Sequence, residues 1–138
     1  MGLILDTSAL VEMERAGECL DRSFIEKEVL FLPAVVWAEA LVGVRLADTA
    51  ARAARRRARL EAIRSLTGIV PFSAEIAEHY ADIFSELHDG GQLIPQNDIA
   101  VAATARFLEA EVLLGPGDEK HFRRIAGLQV RVIDSSQL

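Results

Sequence analysis

The feature that most restricts the fold of this chain is an alternation of two kinds of segment. Short apolar runs of strand length, LIL at 3–5, VLFLP at 29–33, EVLLG at 111–115 and LQVRVID at 128–134, are separated by longer stretches of helical character. The predicted helices are TSALVEMERA with Thr7 or Ser8 near its N-cap, LDRSFIEKE, AVVWAEALVGVRLA, the Ala- and Arg-rich span Thr49–Leu66, SAEIAEHYADIFSELHDGG with a serine cap and a Gly-Gly stop, PQNDIAVAATARFLEAE, and a short DEKHFRRI. GIVPFS reads as a short strand or an extended link. Repeated strand-then-helix order predicts an α/β fold, a three-layer α/β/α sandwich around a central, mostly parallel sheet. At 138 residues, with no repeat or linker, it predicts a single domain over 1–138.

One residue breaks the first apolar run. In MGLILDTSALV, Asp6 follows Leu3–Leu5 directly and precedes another apolar stretch. In sheets of this kind, ligands collect where strands hand over to helices, and Asp6 falls at such a junction.

Three more acids occupy comparable or chemically odd places. Helical spacing puts Glu39 near Val35, Val36 and Val42, where an ionised carboxylate costs several kcal/mol without compensation. Either it serves a site or it lies at the edge of the apolar face and reaches water. Asp98 opens an almost wholly apolar helix, and Asp118 follows a glycine-rich loop; each alone reads more readily as a cap or a dipole partner than as a ligand. Together, four carboxylates repel one another unless a cation holds them, and no Lys or Arg lies within several residues of Asp6, Glu39 or Asp98. A hard divalent ion, Mg2+ or Mn2+, suits an all-oxygen set. His79, His88 and His121 form no zinc-binding spacing and read as surface or structural residues.

Composition narrows the partners. The single cysteine, Cys19, reads as an ordinary free thiol and excludes an internal disulfide or a cysteine-rich zinc site. No apolar run is long enough to span a bilayer, and no basic region precedes the first one, so the chain reads as cytoplasmic with no signal peptide. A net charge of −6 argues against a sequence-blind nucleic-acid binder, yet Ala51–Arg64 carries six arginines. That segment reads either as a solvated helix face or as a local basic surface, and the two readings balance.

LILDTSALV, VVWAEALVG, IPQNDIAVAATA and an acid ahead of HF and GLQV, in this order, resemble the PIN-domain ribonucleases. The likeness is greatest to the toxin half of VapBC-type toxin–antitoxin pairs and spans nearly the whole chain. The resemblance implies an Mg2+-dependent endoribonuclease acting on structured RNA, a tRNA or rRNA, with Asp6, Glu39, Asp98 and Asp118 as metal-binding catalytic acids and Thr7 and Ser8 in support. It also implies a homodimer and a VapB-like antitoxin partner, in a heterotetramer or larger assembly. In the family, the loop before the fourth acid commonly carries Thr or Ser; here it reads GPG, which bears on how Asp118 is oriented and how a second ion is held. For an acidic protein that cuts RNA, Arg45, Arg52, Arg55, Arg56 and Arg106 are the candidate RNA contacts.

Two other classes compete. Aspartyl phosphotransfer fits poorly, since Ser8 stands where a phosphatase of that kind wants its second acid. A catalytically silent PIN-like interaction module is the stronger alternative, separable from a nuclease by metal binding.

Overall fold

The computed structural model describes residues 2–17, 23 and 26–133. The expectations for Cys19 and for most of the 20–28 helical segment lie outside those residues. The elements run β1 (Gly2–Leu5), α1 (Thr7–Ala16), β2 (Val29–Pro33), α2 (Ala34–Arg45), α3 (Ala50–Arg64), β3 (Gly68–Val70), α4 (Ala74–Asp89), α5 (Gln96–Leu108), β4 (Glu111–Leu114), α6 (Glu119–Phe122) and β5 (Val130–Val132).

All five strands are parallel, in the order β3-β2-β1-β4-β5. Leu3, Ile4 and Leu5 are all buried, as are Val112, Leu113 and Leu114. Successive strand residues point to opposite faces, so burial of all six means that helices cover both faces of the central strands. This is the three-layer arrangement that the alternation predicts, with GIV resolved as a short edge strand. Among the described residues, no helix is long and apolar enough to cross a membrane.

Helix α5 is buried continuously from Ile99 to Ala105 and packs against β1, β4, α2 and α4. A helix apolar on all sides belongs in the interior, and its small alanines allow that close packing. It ends earlier than the pattern predicts, because Glu109 adopts a left-handed conformation (φ 52) and turns the chain into β4. Polar caps fix the helices that begin at the surface: Thr49 accepts from the Arg52 N–H at 3.1 Å, and Ser73 from the Ile76 N–H at 3.2 Å. Helix α3 lies against α1 and α2. Its Arg56 donates to Glu14 at 3.0 Å and lies over Gly43, where a Cβ would stand 2.1 Å from a guanidinium nitrogen. Arg57 and Arg64 cover the half-buried Trp37 ring, 5.7 and 5.6 Å from its centroid.

Candidate active site

The strand order reverses direction between β1 and β4: β2 and β3 extend the sheet on one side of β1, β4 and β5 on the other. Open parallel sheets form a crevice at the carboxyl ends of the strands flanking such a switch point. Asp6 leaves the end of β1 there, and the segment Gly115–Asp118 leaves the end of β4.

Asp6 caps α1, one residue ahead of the Thr7 or Ser8 expected from the sequence. Its carboxylate accepts the Ser8 N–H at 3.2 Å and the Ser8 hydroxyl at 2.7 Å, while its own N–H donates to the Leu113 carbonyl at 3.1 Å. The Ser8 hydroxyl in turn accepts the Gly115 N–H at 2.9 Å. One serine thereby ties the end of β1 to the end of β4. The approach is close enough to require glycine: a Cβ on Gly115 would lie 2.6 Å from the Ser8 carbonyl oxygen. The GPG loop that lacks a side-chain hydroxyl is thus anchored by a backbone N–H instead.

Asp6 is 1% exposed. Burial pushes its carboxyl above the ordinary range; the Ser8 hydrogen bonds oppose this, and the charge of Asp118 adds to it. Asp98 behaves in the same way more strongly. Burial first, then repulsion from Asp6, raises it to about 6, with His121 opposing and Asp118 adding. Asp6, Asp98 and Asp118 are therefore near enough to feel one another's charge.

Neither later acid makes a side-chain capping bond, while Asp98 does stand where a carboxylate complements the helix dipole. Pro95 occupies the N-cap of α5, and Asp98 stands in its first turn with its Oδ2 3.0 Å from His121 Nδ1. Asp118 occupies the N-cap position of α6, but its side chain makes no capping hydrogen bond. Glu39 lies at the edge of its helix's apolar face, since Val36 is buried and Val42 is 55% exposed. It is joined to the first motif by Thr7, whose hydroxyl donates to Oε1 at 3.0 Å. Thr7 and Ser8 thus each bond one of the four candidate acids.

Sequence reasoning assigned His121 to the surface or to a structural role and did not anticipate its contact with Asp98 or the close approach at Gly115. The signal for His121 was its place three residues after Asp118, which puts both on one side of a helical turn. Among the described residues, none of the candidate RNA-contact arginines donates to the four acids. Arg52 pairs with Asp48, Arg56 with Glu14, and Arg106 with Glu86 and the Ala126 carbonyl. Arg45 is exposed and donates to the Leu41 carbonyl of its own helix. Arg55 is exposed and makes no side-chain bond among the described residues.

The donor chemistry fits a hard divalent cation: clustered carboxylate oxygens, two of them pushed toward protonation when no cation is present. Among the described residues, no three His, Cys, Asp or Glu side chains are grouped as a ready-made cage. Mg2+ does not need one, since it binds through one or two carboxylates and keeps several waters. Asp6 and Asp98 would hold it, with Asp118 beside them and Glu39 at the margin.

The PIN domain family matches residues 3–128. Ribonuclease VapC1 of Rickettsia felis is 31% identical over 98% of both chains, and Ribonuclease VapC of Rickettsia bellii is 29% identical over 96% of this chain and 97% of that one. Among solved structures, VapBC2 from Rickettsia felis bound to a DNA fragment from its promoter superposes with a TM-score of 0.83 at 23% identity, covering 97% of this chain and all of that one. That likeness supports the fold. The family match and the 31% identity along nearly the full length go further: the chain belongs to the PIN-domain family, on its VapC branch.

Proposed function

We propose that this chain is a divalent-metal-dependent endoribonuclease, the toxin of a VapBC-type pair, hydrolysing phosphodiester bonds of structured RNA. The observation that carries the reading is the mutual charge repulsion among Asp6, Asp98 and Asp118, which come from three separate segments of the chain. A purely structural role does not require such a costly cluster. The curated relatives named as ribonucleases support the same chemistry.

When bound, Mg2+ supplies positive charge against the phosphodiester and makes water a better nucleophile. The chain's own residues set the stage for it. Asp6 is locked by the two Ser8 donors, which leaves Oδ1 free of both. Asp98 gives Oδ2 to His121 and retains Oδ1. Glu39, with Oε1 taken by Thr7, keeps its second oxygen to receive or orient a water.

The substrate is proposed as a tRNA or rRNA rather than a long single strand, because the chain has six Phe, one Trp and one Tyr, and Trp37 is already covered by two arginines. A VapB-like antitoxin and a homodimer, joined in a heterotetramer or larger assembly, complete the proposal; the structural neighbours that are VapBC complexes support the antitoxin.

The test is incubation of the protein and its Asp6→Asn variant with total cellular RNA, in Mg2+ and in EDTA, followed by end mapping. Discrete Mg2+-dependent cuts that vanish in the variant are expected. Folded, Mg2+-supplied protein that leaves all RNA intact would instead favour the silent interaction module.

A further inference from the structure

We infer that His121 is a positioning residue for Asp98: its Nδ1–H holds one carboxylate oxygen so that the other faces the space shared with Asp6 and Asp118. The inference rests on the proposal that these acids hold a divalent ion, and adds to it a residue that is not itself an acid of the cluster.

The contact is placed by rigid parts on both sides. His121 lies on α6, whose neighbouring Phe122 is fully buried and whose following turn is anchored by buried Ile125. Asp98 lies in the first turn of α5, against the continuous buried run that starts at Ile99. Both side chains are sheltered, 25% and 17% exposed, and their atoms meet at 3.0 Å. A bond between two anchored, sheltered groups fixes a carboxylate rotamer that would otherwise swing.

The position of His121 also links two acids. Its backbone N–H donates to the Asp118 carbonyl at 3.1 Å, so one short turn carries both Asp118 and the imidazole that grips Asp98. In a chain whose preceding loop reads Gly-Pro-Gly, without a side-chain hydroxyl to organise it, α6 sets the separation of Asp98 from Asp118 through His121. Partners that orient a metal-binding carboxylate are worth roughly 10–100-fold in metal affinity or activity.

Calorimetric titration with Mn2+ alone, on the full chain and three variants, tests this. His121→Ala removes the donor. His121→Asn keeps an N–H near the place of Nδ1, whereas His121→Gln moves it outward, so the pair separates positioning from bulk. Circular dichroism in EDTA checks the fold of each, and the Asn and Gln pair carries the comparison if the alanine variant fails to fold. The expected result is weakening of Mn2+ binding by roughly 10–100-fold in His121→Ala and His121→Gln, with His121→Asn within about threefold of the parent. Binding by His121→Ala equal to the parent, or rescue by Gln equal to that by Asn, overturns the role of His121 and leaves the metal reading standing. A parent chain that binds no Mn2+ overturns both.

Discussion

Replacing Asp98 by asparagine should make the metal-free protein more stable while abolishing the proposed cleavage. Asp98 titrates at about 6 in the folded chain against an ordinary 3.8, chiefly through burial and the neighbouring Asp6. Both causes vanish on unfolding, so the folded chain binds this proton more tightly than the unfolded one. The stabilising share is complete below the unfolded value and disappears as pH rises through about 6. Linkage turns the difference into a cost of about 3 kcal/mol at pH 7.5, shrinking to less than about 1 kcal/mol at pH 4. Solvent screening takes little from this, because the side chain is 17% exposed. Asparagine keeps the shape without the charge, and its weaker bond to His121 gives back about 1 kcal/mol. A net gain of about 2 kcal/mol, or roughly 6–8 °C in Tm, is therefore expected at neutral pH. Urea unfolding in EDTA at pH 7.5 and pH 4 measures it directly. Saturating Mg2+ should reverse the order, since the parent alone gains from binding. A variant no more stable than the parent at pH 7.5, or a gain that is the same at both pH values, would refute the reasoning.

Three further perturbations separate packing from chemistry. Gly115→Ala forces a Cβ to 2.6 Å from the Ser8 carbonyl oxygen and should lower stability by about 2–3 kcal/mol in thermal melts, whereas Gly90→Ala, with its nearest atom at 3.6 Å, should be tolerated. Equal melting of the two variants would show that the β1 and β4 ends do not meet tightly. Thr7→Val frees Glu39 and should cut RNA cleavage roughly tenfold with little change in Tm; unchanged turnover would remove Glu39 from the proposed chemistry. Arg55→Ala with Arg59→Ala, both exposed, should leave Tm unchanged but reduce the salt slope of RNA binding by about one to two units. Arg56→Ala should instead cost about 1–2 kcal/mol of stability, because its guanidinium is committed to Glu14 and Gly43.

That last contrast shows where reading the chain in one dimension stops. Six arginines in Ala51–Arg64 look equivalent along the sequence, and only packing assigns Arg56 to Glu14 and Arg57 and Arg64 to Trp37. Glu14 and Trp37 lie on other helices, and helix periodicity, which does encode local pairs such as Arg57 with Glu61, does not encode which helix lies opposite. His121 was hidden for the same reason, since its partner is 23 residues away and the two meet only because α6 folds against α5.

The sequence by itself determined the layers and singled out the candidate acids. Strand and helix periods are local properties, so the alternation was readable from residues within a few positions of one another. Asp6 stood out because a carboxylate inside an apolar run is costly wherever that run goes. Tertiary structure alone decided how the acids are held: Ser8 bridging Asp6 to Gly115, Thr7 holding Glu39, and His121 holding Asp98. Hydrogen bonds act over about 3 Å, and which ends come that close is settled by the order of strands in the sheet. The switch between β1 and β4 is a property of the assembled sheet, and no segment of the chain carries it alone.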